Sequence, residues 1–217
     1  FDGKVERTKS RPLATKLIST AEALQLFFIF SFFSCLLLFW TNILTFLFAI
    51  LAFSITTIYP FTKRFFDYPQ VFLGMAFSCS IPMAFAAQTE KLSFTILPIY
   101  FAVLAWVICY DTFYALIDKN DDERIGIKST ALIFGDRHQL ITFILQSIFI
   151  LLMLMVGFIE QFKSYYFYCI FIVISLFLYQ QLLVKKGGKN NYFKAFKNNN
   201  FVGLIVFLGI FFELNMN

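Results

Sequence analysis

Seven apolar segments constrain this chain more than any other feature, at about 21–40, 43–60, 70–88, 94–116, 140–159, 165–184 and 201–214. Most approach the ~20 residues with which a helix crosses ~30 Å of hydrocarbon at 1.5 Å per residue. Backbone groups in lipid must be satisfied within the structure itself, and these segments lack the two-residue alternation of a barrel strand. The spacing predicts an all-α, multi-spanning transmembrane helical bundle. Composition points the same way: 59% of residues are hydrophobic and only 14% charged, against roughly 25% charged in soluble domains. A water-soluble fold would leave much of that apolar surface exposed and prone to aggregate.

Alternating crossings put the loops 1–20, 61–69, 117–139 and 185–200 on one side. Of the 18 Lys and Arg, all but Lys91 and Lys163 fall in those loops. By the positive-inside rule that side is cytoplasmic, in a bacterial cytoplasmic (inner) membrane. In a mitochondrial inner membrane it would be the matrix side. The run KKGGKNNYFKAFKNNN (185–200) reads as a basic loop touching anionic headgroups. Cys35, Cys79, Cys109 and Cys169 lie in apolar runs without metal-ligand spacing and read as packing residues, and His138 as a loop residue.

The stretch YDTFYALIDKNDDERIGIKSTALIFG (110–135) places Asp111, Asp118, Asp121 and Asp122 at the edge of this apolar chain. On a continuous helix, at ~100° per residue, positions 111, 118 and 122 fall at 0°, about −20° and about +20°, with Asp111 ~10 Å deeper than Asp118. Asp121 and Glu123 read as solvated charges. An ionised carboxylate inside a bilayer costs several kcal/mol, and like charges in a row repel. An oxygen-preferring divalent cation offsets both effects. Mg²⁺ takes one or two carboxylates and completes its shell with water and phosphate oxygens. The basic groups lie on the same side: Arg7, Lys9 and Arg11, then Lys63 and Arg64, then Lys119, Arg124 and Lys128. Lys4, Lys9 and Lys16 read as headgroup anchors. Carboxylates, cations and an apolar bundle together suggest a site for a lipid diphosphate.

These residues resemble a known family. Tyr110-Asp111-Thr112-Phe113-Tyr114-Ala115, the Asp-x-x-x-Asp pair Asp118 and Asp122, and Ile125-Gly126-Ile127-Lys128-Ser129-Thr130 are similar to the second aspartate-rich motif of the UbiA superfamily of intramembrane prenyltransferases. Within it they resemble the 4-hydroxybenzoate polyprenyltransferases of ubiquinone biosynthesis. FDGKVERTKSRPL looks like the end of the family's first motif, with Asp2 as its last aspartate. YPFTKRFFDYPQVFLG resembles a further family segment. The Asn-Asp-x-x-Asp that begins the first motif is not in the sequence, and Thr15-Lys16 stands where the family has Ser-Gly.

The resemblance implies a nine-helix fold around a central cavity, of which this chain carries about seven helices. It reads as a single transmembrane prenyltransferase domain over 1–217 that lacks its N-terminal part. The implied reaction transfers an all-trans polyprenyl group from its diphosphate to the ring of 4-hydroxybenzoate, ortho to the hydroxyl. By resemblance, Asp2, Asp118 and Asp122 would hold Mg²⁺, and Asp111 would support them. Arg7, Arg11 and Lys63 would grip the diphosphate. Arg64 would meet the acceptor's carboxylate, with Tyr59 and Tyr114 lining the pocket. The implied partners are the two substrates and the lipid bilayer, without nucleic acid. Alternatives are a superfamily member using a naphthoate, a haem or a chlorophyllide, an ion-coupled transporter, or an inactive fragment.

Overall fold

The computed structural model describes residues 3 and 5–216, and all regular structure among them is helical. The elements are α1 (Thr20–Leu38), α2 (Ile43–Thr62), α3 (Pro69–Ser78), α4 (Ser80–Thr89), α5 (Ile96–Ile125), α6 (Thr130–Phe134), α7 (His138–Ile159), α8 (Ser164–Lys186) and α9 (Lys189–Met216). They make 7 spans long and apolar enough to cross a bilayer, with α3–α4 and α6–α7 each counting as one. The chain is an integral membrane protein of the expected class.

Local chemistry sets the helix ends. Ser19 and Glu22 form a capping box at α1: Ser19 N–H donates to Glu22 at 2.7 Å, and Glu22 N–H donates to Ser19 Oγ at 3.2 Å. Asn42 caps α2 by accepting the Thr45 N–H at 2.9 Å. The segment expected as one helix over 70–88 is instead broken at Cys79, between α3 and α4. Pro82 explains the break, since it has no N–H for the Ser78 carbonyl one turn earlier.

Helix α5 runs on to Ile125, well past the expected limit at 116, and Gly126 ends it in the left-handed region at φ 69. Its 30 residues span about 45 Å at 1.5 Å per residue, longer than the hydrocarbon layer. The first nine residues of the expected loop 117–139 are therefore helix. His138, expected in that loop, opens α7. The expected loop 185–200 needs a larger correction, because α9 begins at Lys189 and takes in most of it. Gly187 and Gly188, at φ 68 and 87, turn the chain tightly between α8 and α9. The Lys- and Asn-rich run then helps to bury Ala195 and Asn199 on one helical face.

Helix α5 is the hub, packing against α3, α4, α6, α7 and α9. One core cluster joins Phe149 and Met153 of α7 to Tyr166, Ile170 and Val173 of α8 and Val202 of α9. Amides tie the same helices together. Gln181 donates to Gln146, Gln146 to Gln180, and Gln180 to Asn198, at 2.7, 2.7 and 2.9 Å. The Glu213 carboxylate on α9 accepts the backbone N–H groups of Lys163 and Tyr166 at the start of α8, a favourable place for negative charge. Helix α1 buries no residue and meets α2 where Phe27 stacks on Phe53.

Candidate active site

The length of α5 brings its carboxylates to one place. Asp111, Asp118 and Asp122 share a stripe on a single unbroken helix, as the spacing requires. Asp118 and Asp122 are buried, and Asp111 is partly buried, about two turns deeper than Asp118 and three deeper than Asp122. Asp121 stands to the side, where it accepts the Glu6 backbone N–H at 3.4 Å.

Residues 5–18 run as consecutive turns, such as Lys9 N–H to Val5 at 3.0 Å and Thr15 N–H to Arg11 at 2.9 Å. Those turns, with Val5 and Thr8 buried, hold Arg7 against the stripe. Arg7 Nε donates to both Asp118 oxygens at 3.2 Å. Its Nη2 pairs with Asp118 and its Nη1 donates to the Tyr114 hydroxyl. The guanidinium carbon lies 4.2 Å from the centre of the Tyr114 ring, close enough for a cation–π contact. Burial alone would lower the Arg7 pKa. Its hydrogen bond and charge pairing with Asp118, and its contacts with Tyr114, outweigh that and raise it.

Lys63, at the end of α2, acts on both Asp111 and Asp122. Two loops are clasped together to put it there. Lys128 N–H donates to the Lys63 carbonyl at 3.1 Å, and Lys128 Nζ pairs with Asp67 at 2.6 Å. Gln70 completes the joint from α3: its side-chain oxygen accepts the Thr130 N–H at 3.1 Å, and its amide faces Asp111. Thr130 and Thr112 share a buried hydroxyl contact at 2.8 Å.

Of the site residues expected from sequence, the structure gathers Arg7, Lys63, Tyr59, Asp111, Tyr114, Asp118 and Asp122. Tyr59 neighbours Asp111 and Tyr114. Arg11 and Arg64 lie on the exposed surface, the Arg64 guanidinium 5.9 Å from the Phe61 ring centre. Asp2 lies outside the described residues. Sequence reasoning missed Gln70, Asp67 and Ser129. The only signal for Gln70 and Asp67 was their place in the segment that also carries Lys63.

No group of three or more His, Cys, Asp or Glu side chains able to hold a metal is formed among the described residues. Two carboxylates are nonetheless enough for Mg²⁺, which keeps several waters. Asp118 and Asp122 are such a pair, one helical turn apart and within each other's field. Beside Asp122 sits Ser129, 2% exposed, whose hydroxyl lies against the Asp122 carboxylate. Two carboxylates one turn apart, one of them backed by a buried hydroxyl, fit a hydrated divalent ion.

An aromatic line leads inward from Arg7. Tyr114, Tyr110 and Trp106 follow at four-residue steps on α5, and Phe196 of α9 packs on Tyr114 and Tyr110 at 4.8 and 6.0 Å between ring centres. Tyr110, Trp106 and Phe196 also line a cleft of 610 Å³ between α4, α5 and α9.

Fold and site define an integral membrane helical bundle with an acidic, cation-faced site at one edge and an apolar cleft behind it. The chain belongs to the UbiA prenyltransferase family, whose model matches residues 1–208. It is 44% identical over 214 residues to the 4-hydroxybenzoate octaprenyltransferase of Edwardsiella ictaluri (strain 93-146), covering 99% of this chain and 75% of that one. The octaprenyltransferases of Klebsiella pneumoniae and Psychromonas ingrahamii are each 43% identical, covering 97% of this chain and 73% and 74% of theirs. Solved structures share the fold. A UbiA homologue from Aeropyrum pernix K1, in its apo form, superposes with a TM-score of 0.83 at 23% identity, covering 98% of this chain and 80% of that one. Digeranylgeranylglyceryl phosphate synthase gives 0.71 at 20% identity, covering 96% and 75%.

Proposed function

We propose that this protein transfers an all-trans polyprenyl group from polyprenyl diphosphate to 4-hydroxybenzoate, ortho to the hydroxyl. The observation that carries the chemistry is the placing of Arg7 and Lys63 against the α5 carboxylate stripe. The acceptor rests on the high identity to the octaprenyltransferases named above. We read the chain as one transmembrane prenyltransferase domain. Its site opens to the cytoplasm, because the basic loops lie on that side.

Breaking the allylic C–O bond moves negative charge onto the diphosphate. Arg7, with several donors in one plane, and Lys63 are placed to receive it. Arg7 would exchange part of its contact with Asp118 for diphosphate oxygens. Asp118 and Asp122 would hold Mg²⁺, whose charge further stabilises the departing diphosphate. Asp2 would add a ligand, and Gln70 keeps Asp111 oriented toward the cluster. Arg11 would support the diphosphate from the surface loop, and Arg64 would meet the acceptor's carboxylate. Tyr114, Tyr110 and Phe196 shield the allylic cation from water, and their ring faces suit its charge. The prenyl chain would lie in the cleft beyond Tyr110.

The direct test is Asp118→Ala in membrane vesicles, assayed for Mg²⁺-dependent transfer from labelled polyprenyl diphosphate. Transfer should fall at least about a hundredfold, the scale of losing one electrostatic partner at a reacting centre. Undiminished turnover would refute the metal role. A panel of other aromatic acceptors in the parent protein tests the acceptor separately.

A further inference from the structure

The cleft behind the acidic site has one wall whose position is tightly fixed. Trp106 Nε1–H donates to Asn199 Oδ1 at 2.8 Å. Asn199 is buried, and its amide donates in turn to the carbonyls of Ala195 and Phe196 at 2.9 and 3.2 Å. Asn199 is thus held by its own helix and anchors the indole. Phe149 packs on Trp106 with ring centres 5.8 Å apart, and Tyr110 meets it edge to face at 5.6 Å. On a third side, a Cβ added at Gly203 would stand 3.2 Å from the indole Cη2. The indole is enclosed where it touches protein, and it lines the cleft.

We propose that Trp106 selects donors by the length of their isoprenoid chain, and that Asn199 and Gly203 are positioning residues that fix its place. This rests on the proposed use of a polyprenyl diphosphate. Trp106 lies twelve residues from Asp118, about 18 Å along α5 at 1.5 Å per residue. A geranyl chain whose diphosphate sits at the Asp118 level ends before the indole. An octaprenyl chain must pass it. A side chain at 203 narrows that passage, because packed interiors yield little to added volume. Short donors do not reach the constriction and escape its effect.

The experiment compares the parent protein with Gly203→Ala, Gly203→Leu and Gly203→Leu combined with Trp106→Ala, in vesicles, with geranyl and octaprenyl diphosphate as donors. In Gly203→Leu the octaprenyl-to-geranyl ratio of kcat/KM should fall about tenfold, equivalent to ~1.4 kcal/mol. Gly203→Ala should move it less, in the same direction. Adding Trp106→Ala should return it toward the parent value. An unchanged ratio overturns the proposal, as does an equal loss with both donors, which reports general damage.

A second arm needs no acceptor. The chain has 2 tryptophans, so Trp40→Phe leaves Trp106 as the sole indole. Titration with octaprenyl diphosphate should change its emission, and geranyl diphosphate should not. Silence with octaprenyl diphosphate overturns the proposal. A clear response without transfer to 4-hydroxybenzoate would instead remove only the acceptor assigned above.

Discussion

Arg7 meets Asp118 as a planar fork rather than as a point charge, with Nε bridging both carboxylate oxygens and Nη1 turned to Tyr114. An ammonium cannot reproduce that geometry or stack on the Tyr114 ring in the same way. Arg7→Lys, though it keeps the charge, should lower kcat/KM for the diphosphate donor about tenfold or more. Parental kinetics would show that charge alone suffices. Ser129 makes a different prediction. Its hydroxyl is buried against the Asp122 carboxylate. Because that contact orients a carboxylate proposed to hold the ion, Ser129→Ala should weaken Mn²⁺ binding about tenfold, the usual scale for a group behind the ligands. Mn²⁺ affinity measured by electron paramagnetic resonance checks this without any turnover, and an unaltered affinity would remove Ser129 from the site.

Among the elements, α5 does most to build the site, because one helix carries the stripe, the aromatic line and a wall of the cleft. It needs firm packing on both sides, and the α7–α8 hairpin supplies part of it. Tyr166 of α8 is fully buried, and its hydroxyl donates to the Met153 carbonyl at 2.7 Å. It lies so close to α7 that a Cβ on Gly157 would sit 2.7 Å from its ring. Gly157→Ala should therefore destabilise the protein by about 1–3 kcal/mol, the usual cost of overpacking. Thermal unfolding in detergent should show a lower midpoint, and an unchanged one would mean the hairpin can spread. The break between α3 and α4 and the early start of α9 are also matters of this scale. Pro82 marked the first in plain sight. The second was hidden because Lys and Asn look like loop by composition, although the helix they form buries Asn199 against Trp106.

At the scale of the whole molecule, 7 candidate spans and the gathering of basic residues in alternate loops predict one topology. Cysteines placed singly at Lys128 and Lys186, in a background without the native thiols, should react with an impermeant maleimide from the same face. A cysteine at Lys163 should react from the other. Labelling of all three from one face would break the span count. The membrane class, the span number and the carboxylate stripe were legible in the sequence, because hydropathy and helical period are local properties that a run of residues carries by itself. So was the pairing of acidic and basic groups on one side. What only the tertiary structure decided is which cation meets which acid, that Gln70 and Lys128 hold Lys63 over the stripe, and that Arg11 and Arg64 stand on the exposed surface. Those contacts join segments far apart along the chain. Their geometry follows from how whole helices pack, and no local pattern of residues encodes it.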